Sequence, residues 1–276
     1  IKASGEGQSK KLRNTQVKLK DKNFVPVVRL QKNPGGFVAA TVLGGEGFTL
    51  ESLKQQHSWM ADFEEPKGIA VNEKYLIIAE SNTIFVFDRE YRQAAKFTDP
   101  LFYGLHTVQF SPFHPGRILI ASTGTELIFE YDINTQQEVF RWDPWQNGLN
   151  ISSAGTVLTD TLRRGPLGPL GLNAEQRSLQ INGAYYDDRD PSTFYVVSFL
   201  RGEVLAVDRT TGKARPVIAG RRRPHGFVRT KDGWMVTDTF QGRVVWYNRR
   251  IKMTRVLDLT RLPKAVEVEG VEWLQH

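Results

Sequence analysis

Two histidines, an asparagine, a glutamate and a lysine recur in one local pattern along this chain. They are Lys67 in Pro66-Lys-Gly-Ile69, His106 in Leu105-His-Thr-Val108, Asn182 in Ile181-Asn-Gly-Ala184, His225 in Pro224-His-Gly-Phe227 and Glu269 in Val268-Glu-Gly-Val271. Imidazole, carboxylate and amide oxygen together make a divalent-metal set from His106, Asn182, His225 and Glu269, and the imidazoles favour Zn, Mn or Fe over Ca. Such an ion polarises a carbonyl or activates water. Lys67 opposes a bound cation unless its ammonium points away. Without a metal, His106 or His225 suits a general base with Glu269 as its partner, and Lys67 with nearby arginines suits an anion. The same residue types also hydrate a channel or hydrogen-bond strand ends, so these readings stand side by side.

Positioning such residues together needs a scaffold that returns the chain to one place at a fixed period. Four segments supply it. In the last of them, Gly226-Phe-Val-Arg229, Gly233-Trp-Met-Val-Thr-Asp238, Arg243-Val-Val-Trp-Tyr-Asn248 and Met253-Thr-Arg-Val-Leu257 are four short runs rich in β-branched and aromatic residues. Corresponding runs start at Gly68, Thr107 and Gly183, and turn residues such as those after Asp132, Asp208 and Asn248 join the third run to the fourth. Four strands repeated about every forty residues predict an all-β fold, a β-propeller of four-stranded blades.

The ends predict closure by a last blade shared between the N- and C-termini. Val268–Leu274 reads as an innermost strand, and residues 24–30 and 37–43 read as third and fourth strands, giving five blades. His106 lies 76 residues before Asn182, whereas Asn182 to His225 spans 43 and His225 to Glu269 spans 44. The excess falls in 143–180, read as a long inserted loop; a degenerate sixth blade is the other reading. Residues 1–22 then form a basic, flexible N-terminal segment, and 23–276 a single propeller domain.

On this scaffold the five recurring residues ring the mouth of a central channel, each just before an innermost strand. The following Gly, or Thr107, lets backbones crowd near the axis. Turns between second and third strands share that mouth with connections between fourth and first strands. Arg201, Asp238 and Arg243 from the former, and Tyr103, Arg222 and Arg223 from the latter, are the expected substrate-binding groups. The 143–180 insertion shares the same face.

Composition narrows the function. The 276 residues are 40% hydrophobic and 24% charged, which suits a folded globular chain. The net charge is +7, with clusters at Lys10–Arg13, Arg163–Arg164, Arg221–Arg223 and Arg249–Arg250, pointing to an anionic substrate or partner or to a solvated basic surface. These clusters lack interleaved aromatics, which disfavours nucleic acid. The absence of cysteine excludes disulfides, thiolate nucleophiles and zinc–cysteine centres. No apolar run approaches the roughly 20 residues of a membrane span. A first residue of Ile1 fits removal of a targeting segment and leaves the compartment open.

The run Val236-Thr-Asp-Thr-Phe-Gln-Gly-Arg-Val-Val-Trp-Tyr-Asn248 resembles NHL-type repeats. The polar column is similar to that of the gluconolactonase, paraoxonase and strictosidine-synthase-like propellers, over roughly residues 66–276 and the N-terminal strands. In the lactonase branch, similar positions hold a calcium-binding set of carboxylates and asparagines. Asn182 and Glu269 match that set in type, while His106, His225 and Lys67 depart from it and set calcium and lactonase activity in question. A histidine-rich channel is more similar to metal-dependent propeller lyases. The expected function is therefore an enzyme acting on a small, anionic organic molecule, a metal-assisted hydrolase or lyase. The alternative is a non-enzymatic assembly propeller that docks an acidic protein partner through Arg163, Arg164 and Arg221–Arg223.

Overall fold

The structure, a computed structural model, describes residues 27–31, 36–40, 59–63, 66–164 and 176–261. The chain forms two compact units, 1–66 and 67–276. The first contains an antiparallel three-stranded sheet of β1 (Val27–Gln31), β2 (Gly36–Ala40) and β3 (Trp59–Phe63), in that order. Two of these strands fall where the sequence placed strands, and they pair with Val27 opposite Ala40.

The second unit is the propeller. Its sheets are β4 (Gly68–Val71) to β7 (Gln93–Thr98), with β5 at Leu76–Glu80 and β6 at Thr83–Phe87. Next comes β8 (Leu105–Phe110) to β11 (Gln137–Trp142), with β9 at Arg117–Ser122 and β10 at Leu127–Asp132. The third sheet is β12 (Ile181–Tyr186) to β15 (Ala214–Ile218), with β13 at Thr193–Ser198 and β14 at Glu203–Asp208. The fourth is β16 (Pro224–Thr230) to β19 (Met253–Asp258), with β17 at Gly233–Asp238 and β18 at Arg243–Asn248. Each is a four-stranded antiparallel meander. First strands lie beside first strands, β4 against β8, β8 against β12 and β12 against β16, so the blades radiate from their inner edges. The described residues hold four such blades, where the sequence led us to expect five or six. The innermost strand of the expected fifth, 268–274, lies outside the described residues.

The two-residue period of a strand explains how one blade serves two interfaces. Ile118 and Ile120 point into the core shared with the first blade, beside Phe102 and Phe129. Leu119 and Ala121 point to the other side, into a core with Trp142, Phe194 and Val196. Tyr195 and Val197 face a third core with Phe227 and Trp234. Middle strands are therefore buried on both faces and read as continuous apolar runs, while β11 and β19 are mostly exposed. Each fully buried large side chain contributes about 1.5–3 kcal/mol.

The outer hairpins share one device. Asp88, Asp132, Asp208 and Asn248 accept backbone N–H groups two to four residues ahead through Oδ1. A residue in the left-handed region follows each: Tyr91, Gln136, Gly212 and Ile251. The insertion contains no blade among its described residues. It holds an isolated Ile151–Val157 bridge and one short helix, α1 (Asp160–Arg164), which carries Arg163 and Arg164. No helix among the described residues is long and apolar enough to cross a membrane.

Candidate anion-binding site

The recurring polar column sits on irregularities of the inner strands. Pairing of β8 with β9 skips from Leu105 to Val108, β12 with β13 from Ile181 to Gly183, and β16 with β17 from Pro224 to Phe227. His106 with Thr107, Asn182, and His225 with Gly226 are the residues skipped, so each of the three polar residues stands where the ladder is locally broken. All three are buried. The rings of His106 and His225 lie 5.8 Å apart between centroids, tilted by 35°. His225 shares a 2.8 Å hydrogen bond between Nδ1 and Thr239 Oγ1. Lys67 directly precedes β4, half-buried, with its N–H donating to Ala79 O. A Cβ on the following Gly68 would stand 3.0 Å from Val108 N and 3.1 Å from His106 O, so glycine there permits the approach of two inner strands. Glu269 lies outside the described residues. Among those described, no three His, Asp or Glu side chains gather closely enough to hold a metal ion.

The expected sharing of one face by two classes of connection holds in the hydrogen bonds. The last residue of a second strand clasps the chain entering the same blade. Ser122 Oγ donates to Tyr103 O and accepts from Tyr103 N, and Ser198 Oγ donates to Leu179 O. In the fourth blade a carboxylate takes this place, with Asp238 Oδ1 accepting from Arg222 N at 2.8 Å. Asp238 is fully buried, its second oxygen 3.6 Å from a guanidinium nitrogen of Arg221. Burial pushes its carboxyl above the usual carboxylate range, although the Arg222 amide and Arg221 pull the other way.

Glu126 is a second fully buried carboxylate, which the sequence did not single out. It accepts from Trp145 Nε1, from Ser178 N and Oγ, and from the backbone N–H groups of Leu179 and Gln180. It thereby fixes the end of the insertion to the second blade. Burial beside it lowers the Arg177 guanidinium below its ordinary value, partly offset by the Glu126 charge.

These clasps frame a cavity of about 250 Å³ between the third and fourth blades, lined by Arg201, Arg221, Arg222, Arg223, Phe199 and Phe240 among others. Arg221 N donates to Gly202 O at 2.9 Å, and a side chain on Gly202 would collide with the Arg221 carbonyl. Arg201 Nε donates to Ser178 O, the residue that Glu126 anchors. The Arg222 guanidinium lies 4.6 Å from the centre of the Phe240 ring. That of Arg223 lies 5.2 Å from Phe240 and 5.4 Å from Phe199. Phe199 lines the cavity and packs edge-to-face with His225, their ring centroids 5.1 Å apart. Of these arginines only Arg221 has a described carboxylate within ion-pair distance, and its Nε is buried without a hydrogen-bond partner.

The cavity therefore gathers Arg201, Arg222 and Arg223 as the sequence led us to expect, with Asp238 behind the arginine loop. Arg243 turns outward to Asp258 and Gln241. Tyr103 stands beside Gly124, whose N–H donates to Tyr103 O. Neither of the two lines the cavity. Phe199 and Phe240 were missed because a phenylalanine next to a turn reads as packing. The run of three arginines in the partner loop was the signal that could have found them.

No family model matches the sequence, and no curated protein matches it. The fold is similar to the crystal structure of a protein of unknown function from Bacteroides caccae, with a TM-score of 0.53 at 13% identity, covering 82% of this chain and 70% of that one. At that identity the likeness concerns the fold alone, an all-β propeller of four-stranded blades.

Proposed function

We propose that this protein recognises a small organic anion at the mouth of its propeller channel, with Arg201, Arg222 and Arg223 as the binding groups. One observation carries the reading: three guanidinium groups with no described carboxylate partner border a single 250 Å³ cavity. Concentrated cationic charge beside low-dielectric walls raises the local concentration of anions, and arginine offers paired donors to carboxylate or phosphate oxygens. The test is calorimetric titration with a panel of small carboxylates and phosphate esters. The double variant Arg222→Ala/Arg223→Ala is expected to bind at least roughly tenfold more weakly, since each charged hydrogen bond is worth about 1.5–3 kcal/mol. Equal affinity in the double variant refutes the reading.

A second reading, a metal-assisted hydrolase or lyase, is favoured by the juxtaposed rings of His106 and His225. Asn182 and Glu269 complete its ligand set, and kinship with NHL and gluconolactonase/strictosidine-synthase-like propellers belongs to the same proposal. Near-stoichiometric Zn, Mn or Fe lost in both His225→Ala and Glu269→Ala is its expected signature. Metal-free protein after incubation with each ion sinks it. Docking of an acidic protein through the same basic face would instead show as complex formation that also requires Arg163 and Arg164.

A further inference from the structure

We infer that the cavity is built for a dianionic phosphoryl group, and that Phe240 is the positioning residue that presents Arg222 and Arg223 to it; this rests on the anion-binding reading above. Charge balance is the first argument. Arg201, Arg222 and Arg223 have no described carboxylate within ion-pair distance, while Arg221 has Asp238. The first three are solvent-exposed and Asp238 also acts on Arg222, so water screens the cluster, but a doubly charged group still gains more from it than a monocarboxylate does. A phosphate monoester brings about −1.5 to −2 charges and three acceptor oxygens at neutral pH.

Geometry is the second argument. Phe240 is 50% exposed, so no core demands a phenyl ring there. Its ring lies instead against both guanidinium groups, at 4.6 Å and 5.2 Å. Guanidinium groups stacked on rings keep their N–H donors in their own plane, so the faces are satisfied by the phenyl and the edges stay open to oxygen. The loop is held from behind, where Phe240 N donates to Arg222 O and Arg222 N donates to Asp238. Arg223 adopts φ of 56° directly before Pro224.

The experiment titrates inorganic phosphate, phenyl phosphate, succinate and benzoate into the wild-type chain, Phe240→Leu and Phe240→Tyr at one fixed ionic strength. Phosphate and phenyl phosphate are expected to bind roughly tenfold or more tightly than benzoate, and more tightly than succinate, which spreads its two charges over separate carboxylates. Phe240→Leu is expected to weaken phosphate binding about 3- to 10-fold with an unchanged melting temperature, and Phe240→Tyr to restore it. Succinate or benzoate binding as tightly as phosphate overturns the phosphoryl assignment, and wild-type affinity in Phe240→Leu overturns the positioning role. Failure of all four anions to bind overturns the anion-binding reading itself.

Discussion

Replacing Glu126 by Gln should loosen the junction between the second and third blades by a calculable amount. One carboxylate oxygen accepts from the N–H groups of Leu179 and Gln180; the other accepts from Trp145 Nε1 and from Ser178 N and Oγ. An amide keeps one of these acceptors and turns the other into a donor. In either orientation two N–H groups lose their acceptor, because only the Ser178 hydroxyl can rotate to accept. A buried donor left unsatisfied costs about 1–3 kcal/mol, and the remaining bonds lose their charge assistance, so about 3–6 kcal/mol is expected. That is a large part of the 5–15 kcal/mol typical of a folded domain. The assay is amide hydrogen exchange at Ser178, Leu179 and Gln180, read beside urea unfolding. The three amides should exchange at least roughly a hundredfold faster, with a red-shifted Trp145 emission. Because Arg201 donates to Ser178 O, phosphate binding should weaken too. Unchanged exchange at all three amides, with a stability change below about 1 kcal/mol, would show that Glu126 does not hold this junction.

The Asp88 and Asp208 carboxyls are held below the usual carboxylate range, chiefly by backbone N–H groups of Arg92 and Thr211. A depressed folded value means stabilisation that is present above about pH 4 and lost as pH falls through that value. Asp88→Asn with Asp208→Asn should flatten the fall in urea midpoint between pH 5 and 3 by lowering the neutral-pH midpoint slightly, while the turn itself persists, since Asn248 already makes the same turn. Gln136 is exposed with φ of 56°. Gln136→Gly should raise stability by up to about 1 kcal/mol, seen as a higher melting temperature, because the left-handed conformation costs about 1–2 kcal/mol without glycine and glycine returns part of that as chain entropy. Glu130, buried, pairs with Arg209 and accepts from Tyr186 Oη at 2.8 Å. Glu130→Ala should cost about 3–5 kcal/mol in urea unfolding, because the Arg209 charge is left without its partner.

Much of this architecture is legible in residue order. The runs Gly233–Asp238, Arg243–Asn248 and Met253–Leu257 were placed to within a residue, because β-branched and aromatic residues bounded by Asp, Asn and Gly leave little choice of period. Convergence of Ser198–Arg201 with Arg221–Arg223 followed from topology alone, and Arg221 N to Gly202 O is its realisation. The blade number was harder to read, since it depended on a C-terminal strand whose residues repeat only one quarter of a blade. Glu126 stayed hidden for a different reason. Four of its five hydrogen bonds come from residues 52 to 54 further along, brought near by the packing of one blade on the next, and one glutamate beside a strand reads as solvated. Burial of His106 and His225 was likewise invisible, because it follows from breaks in strand pairing that no residue type announces.

The clasps between second-strand ends and incoming chain also shape how this protein reaches its fold. Ser122 to Tyr103, Ser198 to Leu179 and Asp238 to Arg222 join residues only 19, 19 and 16 apart. Closing loops of that length costs little chain entropy, and contacts local in sequence favour rapid folding. A blade can thus latch as soon as its second strand has formed, without waiting for its neighbours. The 143–177 stretch lies outside every latch, between one closed unit and the next. Lengthening it adds only slowly growing entropy to the docking of finished blades, so a propeller assembled this way accepts a long insertion at that seam and at few other places.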